Sequence, residues 1–146
     1  MTRTRIHNLS ISLDGFATGE GQRADAPMGH AGNRLHEWMF ATRFGAPIVM
    51  EGGTTFHFLD VPPAEALEVA REAAGDQDVR IGGGPTVARD FIAAGLVDHI
   101  HLVQVPIVLG RGVRLWDGLE ALEADYDVEA VSTPSGVTHL TFTRSG

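Results

Sequence analysis

The run DVRIGGGPTVARDFI at residues 78–92 constrains this chain more than any other part of its sequence. A short β-branched stretch leads into three consecutive glycines, Gly82, Gly83 and Gly84, and a segment with helical apolar spacing follows at once. Residues without a Cβ allow a sharp turn and the close approach of another group. The first amides of the following helix are unpaired and carry partial positive charge. The run therefore predicts an anion site, for which phosphate is the usual ligand.

The pattern on either side of this run alternates between strands and helices. The predicted strands cover residues 5–13, 54–59, 79–81, 97–109, 128–132 and 137–143. The predicted helices cover residues 33–43 with Asn33 as N-cap, 62–74 with Gly75 just past the end, and 85–94 with Gly95 as the stop. Pro106 indicates an edge or a bulge in the long stretch of residues 97–109. This order favours one α/β domain over residues 1–146, with a mostly parallel sheet, helices on its faces and an antiparallel C-terminal hairpin.

Two of the predicted strands end in residues suited to a ligand site. Asp14 and Gly15 follow the first strand, and the three glycines follow the strand at residues 79–81. Ligands of open parallel sheets bind outside the carboxyl ends of the strands. We therefore expect both segments to border one cleft.

Composition argues against several classes of protein. A net charge of -8 is unsuited to general nucleic-acid binding, which needs a basic face. No apolar run approaches the roughly 20 residues of a membrane-spanning helix, and no secretory leader is predicted at the start. The chain has no cysteine, which excludes disulfides and thiolate metal ligands. We expect a cytoplasmic protein that binds a small molecule and neither nucleic acid nor membrane.

Several segments resemble one known family. The sequence SLDGF at residues 12–16 resembles the opening signature of the dihydrofolate reductase-like superfamily, most closely the branch related to the reductase domain of bacterial riboflavin biosynthesis. IGGG at residues 81–84 resembles the cofactor loop of that superfamily. Residues 94–102 and 106–112 resemble its next strand and the loop after it, and residues 51–58 are similar to one group within the branch. Together these matches cover most of residues 4–116.

The resemblance implies a three-layer αβα fold and a homodimer that uses NADPH. It implies hydride transfer to a pterin- or pyrimidine-like heterocycle, as in dihydrofolate reductase or 5-amino-6-(5-phosphoribosylamino)uracil reductase. Asp14, by its match, would border the nicotinamide and the substrate as the catalytic residue. The residues that would bind the cofactor, against its pyrophosphate, are Gly82, Gly83, Gly84, Pro85 and Thr86.

The sequence departs from the family between Thr42 and Pro47. Relatives usually have a further strand, a helix opened by a Gly-Arg turn and another strand here, and these hold the 2′-phosphate and one side of the pyrophosphate. This chain passes almost directly to the segment of residues 50–53, which predicts an internal deletion. Two hypotheses follow: an NADPH-dependent reductase, or a non-catalytic dimeric module that binds a small ligand and has lost part of the cofactor site.

The glycine turn and Asp14 also have purely structural interpretations. Consecutive glycines can serve only a tight connection between strand and helix, and Asp-Gly is a frequent turn pair. A proton donor at Asp14 would need a pKa raised by burial. Glu37, on the first helix, lies near the place where folate-reducing relatives hold the substrate, but a solvated helix face is the favoured interpretation.

His99 and His101 alternate along one predicted strand and therefore face the same way. With His57 or His139 they could hold a metal ion. A half-exposed strand face is the favoured interpretation, and no metal site is predicted.

Overall fold

The computed structural model describes residues 2–40 and 57–146, and the shortened junction between Thr42 and Pro47 lies outside them. The described strands are β1 (Thr4–Ser12), β2 (Phe16–Thr18), β3 (Val79–Ile81), β4 (His99–Val105), β5 (Val113–Arg114), β6 (Tyr126–Ser132) and β7 (Thr138–Arg144). The described helices are α1 (Glu37–Phe40), α2 (Pro63–Ala74) and α3 (Pro85–Ala93), with 3-10 turns at Gly32–Leu35 and Leu122–Asp125.

The described strands form a five-stranded sheet in the order β3-β1-β4-β7-β6 and a separate two-stranded ribbon of β2 and β5. Strand β1 pairs in parallel with both β3 and β4. Strand β7 is antiparallel to β4, and β6 is antiparallel to β7. The predicted α/β class, with a parallel sheet extended by an antiparallel C-terminal hairpin, is confirmed.

The two faces of the sheet carry separate cores because side chains alternate along each strand. Ile100 and Leu102 of β4 pack with Ala88 and Ile92 of α3 on one face. On the other face, β4 packs against the turn that precedes α1, in a cluster that contains Leu35, Val103 and Val105. Helical elements therefore lie on both sides of the sheet, which gives the three-layer arrangement.

The helices at both ends of β3 agree with the sequence pattern. Helix α2 begins at Pro63 and ends at Ala74, just before Gly75, as predicted. Helix α3 begins at Pro85, directly after the three glycines. Gly95 follows α3 with φ +69°, in the left-handed region that glycine adopts without strain.

Two predicted segments differ from the structure. The helix predicted for residues 33–43 begins as a 3-10 turn capped by Ala31 at φ 53°, so Asn33 lies inside the turn and is not the N-cap. The strand predicted for residues 54–59 is wrong in its described part, because residues 57–60 have no regular secondary structure. Phe58 there is 95% exposed, so none of the described strands packs against the alternating side chains of this segment.

The prediction of an edge or bulge at Pro106 was also wrong. Strand β4 stops at Val105, one residue before Pro106, and has neighbours on both sides. Proline has no amide hydrogen to donate to the ladder, so it ends this central strand. The edges of the described sheet are β3 and β6.

We expect Tyr126→Phe to lower the free energy of unfolding by about 1–2 kcal/mol. The Tyr126 hydroxyl donates a 2.7 Å hydrogen bond to the carbonyl of Val97, and Val97 is fully buried, so the variant leaves this acceptor unpaired. Urea denaturation measures the loss. Val131→Ala, at a residue that is 59% exposed on β6, is the control and should change stability by less than about 0.5 kcal/mol. Equal stability of Tyr126→Phe and the wild type would contradict this account.

Candidate functional site

A cleft of about 410 Å³ opens beside the carboxyl end of β3. Among the described residues, strand β3 pairs with Thr4, Arg5 and Ile6, at the start of β1. The next part of β1, residues 7–10, therefore has no β3 partner and forms one wall of the cleft. Strand β2, the loop at residues 27–28, the glycine turn and the first turn of α3 complete the lining.

The glycine turn is more open than packing requires. Gly83 has φ +129°, a conformation that residues with side chains rarely adopt. Gly84 has ordinary extended angles, φ −84° and ψ 179°. A Cβ placed on Gly82 or Gly84 would meet no heavy atom within 4 Å. Backbone conformation therefore requires a glycine only at position 83. At positions 82 and 84 the missing side chain leaves free space at the cleft.

The backbone amides at this turn are available to a ligand. Pro85 occupies the first turn of α3, and the first helical hydrogen bond runs from the Ala88 amide to the Gly84 carbonyl, at 3.1 Å. The amides of Gly84, Thr86 and Val87 have no acceptor among the described residues. Together with the partial positive charge of a helix start, they suit an anion.

The fold brings four of the five predicted cofactor residues together in the cleft lining: Gly82, Gly83, Gly84 and Pro85. Thr86 is exposed on the first turn of α3 and does not line the cleft. Its amide can still face a bound phosphate, because amides of the first turn point away from the helix body. Contact of these residues with a cofactor stays a prediction.

Asp14 has a different setting from the one the sequence predicts. It does not line the cleft. Its carboxylate accepts hydrogen bonds from the Ser12 hydroxyl at 2.5 Å, the Leu109 amide at 3.1 Å and the Gly110 amide at 2.7 Å. It thus ties the turn after β1 to the loop after β4.

The same contacts decide the protonation of Asp14. Burial by itself would raise the pKa of this carboxyl, but the hydrogen bonds from Ser12, Gly110 and Leu109 outweigh it and lower the pKa. An ionised carboxylate with both oxygens engaged is a poor proton donor. The catalytic assignment of Asp14 stays a prediction, and its contacts favour a positioning role.

Sequence reasoning did not single out three residues of the cleft lining, His7, His36 and Arg80. Arg80 is an exposed residue of β3, and its Nη2 donates to the carbonyl of His7 at 3.5 Å. Burial lowers the pKa of His36, so its ring is neutral near pH 7. The signal for Arg80 is its place two residues before Gly82, but the apolar pattern of residues 79–81 predicts only a buried strand.

The histidines at positions 99 and 101 share the sheet face opposite α3. The ring of His7 lies 5.5 Å from that of His99 and 5.6 Å from that of His101, centroid to centroid. His101 Nε2 is 2.9 Å from His139 Nδ1, a hydrogen bond that needs one of the two rings to be neutral. No three potential ligand side chains in the part of the chain that the structure describes are arranged to hold a metal ion.

We expect stability to fall as the pH drops from about 7.5 to 5.5. Burial is the largest cause that lowers the pKa values of His36, His99 and His101, and neighbouring histidine charges lower that of His101 further. The unfolded chain, with histidine pKa values near 6.5, therefore binds protons first. The free energy that the neutral histidines contribute to folding is fully present above the unfolded pKa. It is lost as the pH falls below that value, by at most about 1.4 kcal/mol per pH unit for each histidine.

Urea denaturation across this pH range measures the slope. His101→Gln should make the slope shallower, whereas His57→Gln, at an exposed position, should leave it unchanged. Equal slopes in all three proteins would contradict the assignment.

We expect Asp14→Asn to lower the free energy of unfolding by about 1–2 kcal/mol. The asparagine retains only one acceptor oxygen for two backbone amides and removes the negative charge that strengthens both bonds. Thermal unfolding and proteolysis in the loop at residues 106–112 would both report the loss. Asp117→Asn is the matched control, because Asp117 is exposed and makes no hydrogen bond with its side chain among the described residues. Identical behaviour of the two variants would refute the positioning role.

No helix among the described residues is long and apolar enough to cross a bilayer. A comparison with curated protein sequences finds no match. The family model of the RibD C-terminal domain matches residues 44–141, which is more than half of the chain.

Two solved structures share the fold at low sequence identity. A putative riboflavin biosynthesis protein of Shewanella sp. PV-4 is 15% identical with a TM-score of 0.57, and the match covers 99% of this chain and 100% of that one. The riboflavin biosynthesis reductase Rib7 of Saccharomyces cerevisiae is 12% identical with a TM-score of 0.57, covering 99% and 89%. The sequence motifs, the sheet topology and the family match agree: the chain belongs to the RibD C-terminal domain family, within the dihydrofolate reductase-like superfamily.

Proposed function

We propose that this protein is a reductase that uses NADPH to transfer hydride to a pterin- or pyrimidine-like heterocycle. The observation that carries the proposal is the open glycine turn: Gly84 lines a cleft at the carboxyl end of a parallel strand, and its amide and those of Thr86 and Val87 just after it have no acceptor among the described residues. Membership of the RibD C-terminal domain family supports it, as do the names of the two structural relatives, which concern riboflavin biosynthesis.

The residues present fit a dinucleotide cofactor. The amides of Gly84, Thr86 and Val87 suit its pyrophosphate, and a Cβ on Gly82 or Gly84 would occupy the space that the phosphates need. The cleft volume of about 410 Å³ falls in the usual range for small-molecule sites. When bound, the nicotinamide supplies the hydride, and the protein supplies binding and orientation.

The remaining residues of the cleft have distinct tasks under this proposal. Gln22 on the facing loop, whose Nε2 donates to the Pro27 carbonyl at 2.9 Å, keeps its amide oxygen to orient a heterocycle, while Pro27 and Met28 exclude water. The neutral ring of His36 offers one donor and one acceptor nitrogen to the substrate. Asp14 acts at a distance, by fixing the loop at Leu109 and Gly110.

A homodimer and a cytoplasmic location are parts of the same proposal. Strand β6 is an edge of the described sheet, and Val128 and Val131 on it are 45% and 59% exposed. An exposed edge strand is a ready template for pairing with another chain. Antiparallel pairing of two β6 strands would cover it.

Titration of NADPH fluorescence with purified protein tests cofactor binding. We expect wild-type protein to bind, and Gly84→Val to bind at least about 10-fold more weakly, a loss of roughly 1.4 kcal/mol. Gly84 has backbone angles that valine accepts and no neighbour within 4 Å of a Cβ, so the fold should be unaffected. Ala94→Val places the same side chain at the exposed residue that caps the other end of α3, and this variant should bind as the wild type does.

The outcomes separate the two hypotheses for this chain. If wild-type protein leaves the fluorescence of NADPH unchanged at high concentration, the reductase proposal fails and a non-catalytic ligand-binding module stands. If Gly84→Val binds as tightly as wild type, the glycine turn is not the pyrophosphate site.

A further inference from the structure

The segment just before α2 exposes a run of apolar side chains. Phe58 is 95% exposed, Leu59 is 47% exposed and Val61 is 40% exposed. Residues 57–60 have no regular secondary structure and pair with none of the described strands. Neighbouring apolar side chains that solvent reaches together are typical of a contact surface. The segment therefore has the character of a surface that another molecule covers.

An apolar groove of about 200 Å³ lies between α2, α3 and β3. All three elements contribute to its apolar lining: Leu67, Ala70, Val79, Ile81, Val87 and Phe91. Among the described strands, β3 pairs with β1 alone, so its other edge has backbone donors and acceptors that can pair with a further strand. The groove and this edge together suit an extended segment that carries a large apolar side chain.

The path of the chain into α2 directs the exposed segment away from the groove of its own molecule. Pro62 is extended, with φ −59° and ψ 156°, and Val61 precedes a proline, which favours an extended backbone there too. To reach its own groove, the chain would have to reverse direction between Phe58 and Pro63. Two consecutive prolines oppose such a reversal. A second copy of the chain can present the same segment without it.

The charges of the segment and the groove are complementary. Among the described residues that line the groove, Arg80 is the one with a charge, and it forms no ion pair with any described carboxylate. Asp60 is exposed and lies two residues after Phe58. In an extended segment this separation is roughly 7 Å, a distance that the long side chain of Arg80 can span.

A reciprocal exchange of this segment buries enough area for a stable dimer. Burial of one phenylalanine removes roughly 150–250 Å² from solvent, and the groove that receives it loses a comparable area. Two such contacts, related by a two-fold axis, account for roughly 600–1,000 Å² through Phe58 alone. Leu59 and Val61 bring the total to the roughly 1,200 Å² at which specific interfaces begin.

We propose that residues 57–61 of one copy of this chain lie along the free edge of β3 in a second copy. Phe58 fills the groove between α2 and α3, Asp60 pairs with Arg80, and the exchange is reciprocal. The amides of the glycine turn remain free for a ligand in this arrangement. The interface is separate from the pairing of β6 strands and goes beyond the proposed function, because it does not depend on a cofactor.

Light scattering after size exclusion tests the interface by the mass of the particle. Phe58→Ser should weaken self-association at least about 30-fold and so halve the mass at micromolar concentration, from tetramer to dimer or from dimer to monomer. Val108→Ser is the control, because Val108 is 62% exposed and belongs to neither surface, and it should leave the mass unchanged. Circular dichroism checks that both variants fold.

A charge exchange tests the ion pair across the interface. Asp60→Arg places two positive charges together and should weaken self-association about 10-fold. Asp60→Arg combined with Arg80→Asp should restore the association to within about threefold of the wild type. Equal weakening in the single and the combined variant would overturn the pairing.

Disulfide cross-linking tests which molecule provides the segment. The chain has no cysteine, so introduced thiols pair selectively. A mixture of Phe58→Cys and Val87→Cys proteins should give a product of two chains on oxidation, whereas Phe58→Cys mixed with Val108→Cys should not. Peptide masses identify the linked residues.

Each remaining outcome decides the proposal. Wild-type protein with the mass of one chain at high concentration overturns it, as does an unchanged mass in Phe58→Ser. A disulfide within single chains of a Phe58→Cys and Val87→Cys double variant overturns it too, because the segment then covers its own groove. Should Phe58→Ser not fold, the cross-linked mixture decides. Titration with NADPH is a separate measurement, so failure of this interface leaves the proposed function standing.

Discussion

The parallel pairing of β1 with two strands of unequal length determines the rest of this structure. Ile6 of β1 lies between Ile81 of β3 and Ile100 of β4, so three apolar side chains align across the sheet. Strand β4 then follows β1 to Val105, whereas β3 ends after three residues. The early end of β3 places a turn beside the middle of β1 and leaves room there. The cleft is a direct consequence of that difference in length.

The local charges of the cleft suit an anion, although the whole protein has a net charge of -8. The amides after β3, the guanidinium of Arg80 and the start of α3 all contribute positive potential within one cleft. Burial keeps His36 neutral near pH 7, so it adds hydrogen-bonding capacity without charge. None of the described residues that line the cleft is acidic, and Asp14, the acidic residue predicted to act at the site, accepts hydrogen bonds from a hydroxyl and two amides.

Elements that depend on neighbouring residues could be predicted from the sequence, whereas contacts between residues far apart in the chain could not. The glycine turn and α3 were predictable because three glycines, a proline and an apolar stripe at helical spacing are neighbours in the chain. The setting of Asp14 was not, because its partners Leu109 and Gly110 are 95 and 96 residues away. Arg80 looked like part of a buried strand, and only the short register of β3 on β1 shows that it borders a cleft. Residues 57–60 belong to a segment with the alternating pattern of a strand, but they pair with none of the described strands.

The central claim is that free amides after β3 bind the pyrophosphate of a nicotinamide dinucleotide. Amide chemical shifts of ¹⁵N-labelled protein during titration with NADPH test it most directly. The account predicts large shifts for Gly82, Gly83, Gly84 and Thr86, and none for Gly136, a glycine in the β6–β7 turn that is distant in sequence from the cleft. Shifts confined to other regions, or no shifts at saturating nucleotide, would contradict it.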